Sequence, residues 1–488
     1  MTVLLRTFIV VMLLLLVFLL PFPASAVQTN TIDFTLLDSV ITKQMEKHGL
    51  PGVALAVFEN GEITYLKGYG TAGNGQRMTA QTQMFIGSQS KSFTALAIAQ
   101  LADQGKIDLY SPVQKYIPWF RVADDTASQN ITIDQLLHHT SGLSDSGLTG
   151  LLPNDTSLEQ AVRSLSTARL TAPVGSTHQY FNLGYSILSY VVEEVSGQSY
   201  PDYVQEEIMT PLGMTSSTAK PELAANLAQG YSRLFGFAIP MRQPVPAYAV
   251  GQGFIVSTAE DLARYALVFE DKDQDLLSAQ MMKKVLTPGI GSYGMGWHIA
   301  DNGTKIFHGG ANETFRTEVN LYPLRNSGFV LLTNEGYQVD HFISAAQLTS
   351  SVEAVILSKS LEGLDKGWSV KWMGWILGIF VVALLTLHTY NFLMLRTWVK
   401  RTERLSTLKR VFDVCVSFII PTLILLGVFF GIKQFYGNRF NLLLNLAYLP
   451  KVLPDVFILM LVGSVPDYLQ GIIKIILWKK SRLLTSVS

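Results

Sequence analysis

The stretch Phe85-Ile86-Gly87-Ser88-Gln89-Ser90-Lys91 opens a long helical pattern at its serine. Positions i and i+3 of a helix share a face, so the Ser88 hydroxyl and the Lys91 amine come within hydrogen-bond reach of each other. A serine hydroxyl is a poor nucleophile until a neighbour takes its proton, and a lysine assists only where burial or nearby charge lowers its pKa. Alone, the four-residue pattern equally describes an exposed helix start capped by serine.

Further along the chain, Tyr180-Phe181-Asn182 follows Pro173-Val174-Gly175 and leads into a helix, and His308-Gly309-Gly310 ends the apolar segment Lys305–Phe307. A tyrosine relays a proton between a serine and a leaving group, and an Asn amide hydrogen-bonds a substrate carbonyl. Glycines in a strand let a substrate backbone come close, and a main-chain N–H beside them can serve as half of an oxyanion hole. Taken singly, the tyrosine also reads as a packed loop residue and the His-Gly-Gly as a turn.

Around these motifs the periodicity predicts a helix over 31–48, stopped at Gly49-Leu50-Pro51-Gly52. It then predicts a hairpin of Val53–Phe58 and Ile63–Leu66 about Asn60-Gly61, a pair suited to the positive φ angles of a type I′ turn. Helices are expected at Ser92–Gln104, Leu183–Ser196 and Tyr200–Met209, with late strands at Lys305–Phe307, Thr317–Tyr322 and Gly328–Thr333. Strands at both ends with helices between them give an α+β domain: an antiparallel sheet covered by helices, with a mostly helical insertion.

Ser-x-x-Lys, then Tyr-x-Asn some ninety residues on, then His-Gly-Gly on a late strand is an order that resembles the serine β-lactamase and penicillin-recognising superfamily, especially class C-like enzymes, esterases and D-amino-acid peptidases. Pro51-Gly52-Val53-Ala54, Leu136-Leu137-His138-His139-Thr140-Ser141-Gly142-Leu143, and Glu207-Ile208-Met209 running into Pro211-Leu212-Gly213-Met214 add to the likeness, which covers about residues 30–350. The resemblance implies a β-lactamase-like fold and roles for particular residues. Ser88 would be the acylated nucleophile, Lys91 and Tyr180 the proton-transfer pair, and Asn182 a substrate-amide contact. His308 would stand where other members carry Lys, as a catalytic acid or a pocket-shaping group. Gly310, Ala311 and Asn312 would lie beside the substrate, with the N–H groups of Ser88 and Ala311 as oxyanion hole.

Where the best-known β-lactamases read Lys-Thr-Gly, His-Gly-Gly removes a cation and a hydroxyl suited to a β-lactam carboxylate, so efficient penicillin hydrolysis is not expected. His-Gly-Gly-x-Asn, with Asn312, is similar to membrane-anchored peptidases that remove an N-acyl-D-asparagine cap. Those carry Tyr-x-Ser where this chain has Tyr180-Phe181-Asn182, and a substrate-reading histidine where it has Val256. Arg316 reads either as a holder of a substrate carboxylate or as a solvated strand-edge residue. His138 and His139 have no third ligand suitably spaced, so no metal is expected, and no cofactor is implied.

The 488 residues suggest two to four folding units, with only 15% charged residues and a formal net charge of zero. Disorder and a nucleic-acid-binding polycation are both excluded. From Lys371 onward lie 14 of the 37 basic but only 4 of the 37 acidic residues, leaving 23 basic against 33 acidic before it. The single cysteine, Cys415, rules out an intrachain disulfide.

Arg6, the apolar run Phe8–Leu20, Pro21-Phe22-Pro23 and Ala24-Ser25-Ala26 read as a signal sequence over residues 1–26, or as an uncleaved anchor. Apolar segments near 372–395, 411–432 and 456–477 are each long enough to cross a bilayer. The third belongs to an apolar region, Asn441–Trp478, that is too long for one crossing and is broken by Pro450, Pro454 and Pro466, which suggests an interfacial or partial helix ahead of the span. Basic loop 396–410 and the tail Lys479, Lys480 and Arg482 are expected on the cytoplasmic side, which puts the domain of residues 27–365 outside and 366–488 in the membrane. The expected partners are a small-molecule or peptide substrate, the lipid bilayer and, through the spans, an exporter or oligomeric partner; no nucleic acid is expected.

Overall fold

The computed structural model describes residues 32–270, 275–337, 341–364, 366–367, 369–436, 449–450 and 453–485. The expected signal segment lies outside the described residues, as does most of the expected interfacial helix before Pro454.

Chain order begins with α1 (Phe34–His48), whose Asp33 carboxylate accepts from the Leu36 N–H at 2.9 Å and whose end is set by Gly49 in the left-handed region. The hairpin is as the Asn60-Gly61 pair requires: β1 (Gly52–Glu59) and β2 (Glu62–Gly73) pair across it, with φ of 53° at Asn60 and 83° at Gly61. The sheet adds β3 (Gln76–Arg77), β4 (His298–Ala300), β5 (Lys305–Ala311), β6 (Arg316–Tyr322) and β7 (Ser327–Thr333). It is seven-stranded and antiparallel, in the order β3-β2-β1-β7-β6-β5-β4.

Both faces of β1 are covered, which is why it reads as a continuous apolar run. Val53, Leu55 and Val57 pack with Leu37 and Ile41 of α1, and with Leu348 and Val352 of the helix Ala346–Ile356. Ala54, Ala56 and Phe58 point the other way, into a larger core shared with Val319, Leu321 and Val330 and with the helical half of the domain. Full burial of one such side chain stabilises by about 1.5–3 kcal/mol.

At the centre of that larger core lies α2 (Ser90–Asp103), buried on all sides from Ser90 to Leu101. Alanines at 95, 97 and 99 let neighbouring elements come close. A turn of 3-10 helix, Gly87–Gln89, leads into it. The helical insertion packs α3 (Asn182–Ser196) against α2, and its far side is built from short helices such as Ile133–Leu137 and Leu158–Ser164. The expected helix Tyr200–Met209 is present, but its last turn, Gln205–Met209, widens to π geometry.

Three further helices are long and apolar enough to cross a membrane: α4 (Val370–Leu395), α5 (Thr407–Tyr436) and α6 (Pro454–Thr485). The third differs from the expected 456–477. Pro454 starts the helix at a position where no N–H is needed, and the helix continues through Pro466. Two of its charged residues face neighbouring helices: Asp467 lies 3.4 Å from His388, and Lys474 lies 3.0 Å from Asp413.

Candidate functional site

Gly87 has a φ of +53°, and a methyl group there would lie 2.2 Å from the Ala311 nitrogen. A methyl group on Gly310 would lie 1.9 Å from the Ile86 oxygen. These two glycines let the end of β5 lie directly against the segment that delivers Ser88. Asn312 donates its N–H to the Phe315 oxygen at 3.0 Å, and the alternation of an antiparallel ladder then turns the Ala311 N–H away from β6, towards Gly87 and Ser88.

Lys91, on the first turn of α2, is fully buried, and its Nζ lies 3.0 Å from Ser88 Oγ. The same nitrogen reaches Asn182 Oδ1 at 2.8 Å and the Gln252 carbonyl oxygen at 2.5 Å, while the Tyr180 ring centre is 4.9 Å away. Both oxygens can only accept, so two of the nitrogen's positions are always N–H. The third faces Ser88. It is an N–H in the ammonium and the lone pair in the neutral amine, so a proton can pass along this line without moving any other group.

Ser88, Tyr180, Asn182, Ala311 and Asn312 line one end of a cavity of about 640 Å³. Leu148, Leu151, Leu152, Pro244 and Phe254 give its continuation an apolar wall, and Asp145 and Glu313 add carboxylates. No Lys, Arg or His is among the lining residues. Two buried amide atoms on this lining have no hydrogen-bond partner: Asn312 Nδ2, a donor, and Gln252 Oε1, an acceptor.

His308, expected beside the substrate as an acid or a pocket-shaping group, lies behind the cavity wall. It is 2% exposed and does not line the cavity. Strand alternation puts it on the same face of β5 as Ile306, towards the core. Its Nδ1 donates to the Gly309 oxygen at 2.7 Å, so Nε2 accepts from the Tyr293 hydroxyl at 3.0 Å. Burial, with His298 and Lys91 nearby, holds its pKa well below the usual histidine value. Gly310 is likewise a packing position rather than a cavity residue. Arg316 fits neither reading offered for it: it is 4% exposed and donates to the carbonyl oxygens of Asn312, Gly336 and Tyr337. Val256 is buried in a short strand pair with Phe85, away from the lining.

Three contributors were not foreseen. The Gln252 carbonyl is a backbone atom on the π-turn Val250–Phe254 and leaves no side-chain signal. His139 packs its ring 4.3 Å from that of Tyr180, and Tyr293 stands between His139, His298 and His308. The pattern Tyr293-Gly294-Met295-Gly296-Trp297 was the available signal for Tyr293, since a methyl group on Gly296 would lie 2.7 Å from the Ser92 Cα.

The β-lactamase family model matches residues 37–353. The chain belongs to that family of serine hydrolases. Among curated relatives, Protein flp of Staphylococcus aureus (strain COL) is 27% identical over 311 residues, 61% of this chain and 62% of its own length. The chain thus spans a little under two thirds of that relative. Penicillin-binding protein 4 of Amycolatopsis lactamdurans is 28% identical over 319 residues, 61% of this chain and 84% of its own. The octameric penicillin-binding protein homologue from Pyrococcus abyssi superposes with a TM-score of 0.58 at 27% identity, covering 68% of this chain and 79% of that one.

Proposed function

We propose that this β-lactamase-family chain is a membrane-anchored, extracytoplasmic serine hydrolase that opens an amide or ester through an acyl-enzyme, its substrate being a D-amino-acid-containing peptide. The observation that carries the reading is the Lys91 nitrogen, buried, 3.0 Å from Ser88 Oγ and held by two obligate acceptors. Ser88 Oγ attacks the substrate carbonyl as its proton passes to Lys91. The Ser88 and Ala311 N–H groups receive the oxyanion, and Tyr180 delivers the proton to the leaving group. Water then attacks the acyl-enzyme by the reverse transfers.

The unpartnered Asn312 donor and Gln252 acceptor are what a peptide amide group needs on its carbonyl and N–H sides, which favours a peptide over a simple ester. Two carboxylates and no cation on the lining disfavour a penicillin carboxylate. The anchoring is supported by the starts of α4 and α6, which both lie against the globular domain, as alternating crossings from one side require.

The test uses the full chain in nanodiscs, a panel of N-acyl-D-amino peptides, muropeptide fragments, esters and a penicillin, with intact-protein mass recorded beside Ser88→Ala. Product or an adduct on Ser88 that the variant loses supports the hydrolase. Neither product nor adduct from folded protein transfers the reading to a peptidoglycan-binding or sensing module.

A further inference from the structure

The hairpin of strands Tyr231–Leu234 and Phe237–Pro240 projects from the cavity side of the domain and reaches the first membrane helix. Its turn, Phe235-Gly236, has both φ angles positive and sits on two glycines one helical turn apart on α4. A methyl group on Gly374 would lie 2.1 Å from the Gly236 nitrogen, and one on Gly378 would lie 3.1 Å from the Phe235 Cβ. The end of α6 closes the other side, where Asp455 Oδ1 accepts from the Phe235 N–H at 2.9 Å.

This seat has a depth. A 26-residue helix such as α4 is about 39 Å long, about 9 Å more than a hydrocarbon core. A centred span therefore brings Gly374 to within about 2 Å of the hydrocarbon boundary and Gly378 about 8 Å inside it. Trp372 and Trp375 mark the same level, where aromatic side chains gather at membrane interfaces. Beside them the hairpin exposes Phe237 (62%) and Ile239 (39%), two residues apart and so on one face of the strand, with the Phe237 ring 5.9 Å from that of Trp375. Arg242, exposed just after the second strand, adds a cation suited to lipid phosphates.

We propose that this hairpin is a membrane-seated foot: Phe237 and Ile239 enter the interfacial layer of the bilayer that α4–α6 cross, and hold the Ser88 cavity against the lipid surface. The partner is the lipid itself, and the inference rests on the reading of those helices as spans. The foot is joined to the cavity wall on both strands. Tyr231 exchanges hydrogen bonds with Asn334 and Gly336, at 2.9 and 3.0 Å, and Gly336 lines the cavity; Pro244, four residues beyond Pro240, lines it as well. A substrate with a lipid-borne portion thus meets the cavity without leaving the membrane surface.

The test uses the lone-cysteine background. In full-length Cys415→Ser, nitroxide labels are placed singly at Phe237→Cys, Ile239→Cys, Leu324→Cys and Ile379→Cys, in nanodiscs of phosphatidylcholine and phosphatidylglycerol. Collision with oxygen is compared with collision with a water-soluble nickel chelate. Leu324 is 81% exposed at the opposite end of the sheet, and Ile379 is 71% exposed on α4. The expected result is an oxygen-to-nickel ratio at 237 and 239 several-fold above that at 324 and approaching that at 379. Water-like ratios at 237 and 239 with a lipid-like 379 overturn the foot alone. A water-like 379 overturns the spans and the foot with them.

Discussion

The backbone N–H of Phe181 donates to Nδ1 of His139 across 3.2 Å, and Phe181 is the residue between Tyr180 and Asn182. The bond fixes the imidazole with its hydrogen on Nε2, and the ring packs at a tilt beside that of Tyr180, centre to centre 4.3 Å. His139 has a φ of +57°, in the left-handed region that asparagine tolerates better than most residues. His139→Ala is expected to lower kcat about tenfold or more with a smaller effect on KM, because it loosens Tyr180 rather than the substrate. His139→Asn, which supplies an acceptor and suits the backbone, is expected to recover part of the loss; steady-state kinetics on a cleaved ester reads both.

His138 and His139 adjoin in sequence and are expected to titrate in opposite directions. Burial works against the charge of His138, but the Asp134 carboxylate at 3.3 Å outweighs it and raises the pKa above 6.5. Burial, with the Lys91 charge next, drives that of His139 well below 6.5. A raised value keeps the proton to higher pH and a lowered one sheds it sooner, so at pH 6 His138 is mostly imidazolium and His139 neutral. His298, pushed down to about 4 by burial and by His178, is neutral there too. Ring-carbon resonances of selectively labelled histidines, assigned with His138→Gln and His139→Asn, check this; a charged His139 at pH 6 would falsify it.

Gly310→Ala forces a methyl group to within 1.9 Å of the Ile86 oxygen, a backbone atom, so β5 must move away from Gly87. That withdraws the Ala311 N–H from the point where an oxyanion forms. Loss of one such donor costs about 10²–10³ in kcat. The expected signature is slow acylation of Ser88, followed by mass, in protein whose thermal unfolding remains cooperative.

Arg233 and Glu335 form an ion pair with side chains 1% and 0% exposed, beneath the hairpin. Removing one partner strips a buried charge of this counter-ion, and Arg233→Met is expected to destabilise by about 3–5 kcal/mol. Arg233→Met with Glu335→Leu removes both charges and is expected to return most of that loss. Denaturant unfolding of the full chain in micelles distinguishes the two; equal losses in the single and double variants would reject the argument.

Where a motif is local, the chain declares it. Ser88 and Lys91 stand one helical turn apart, and Asn60-Gly61 needs only its own φ angles, so both are legible from the order of residues alone. The strands β5 to β7 are legible from their apolar runs, and the alternation along Lys305–Ala311 already holds the information that turns His308 inward, although the resemblance points elsewhere. Contacts across the fold leave no such trace. The His139–Phe181 bond joins residues 42 positions apart, and the Gln252 contribution comes from a carbonyl common to every residue. Arg316 is charged and so reads as surface, yet three main-chain oxygens replace its water. The Phe235-Gly236 turn gains meaning only from Gly374 and Gly378, well over a hundred residues later.

The Asp455 contact also bears on how the molecule is assembled. Tyr337, next to the cavity residue Gly336, donates to Asp455 Oδ2 at 3.4 Å, and Phe235 donates to the other carboxylate oxygen. The globular domain therefore gains this supporting group only when the helix that begins at Pro454 has been made and packed against it. Folding of this wall of the site is thus tied to residues more than a hundred positions later in the chain, and a molecule that fails to place that helix is left with its hairpin and cavity edge unbraced.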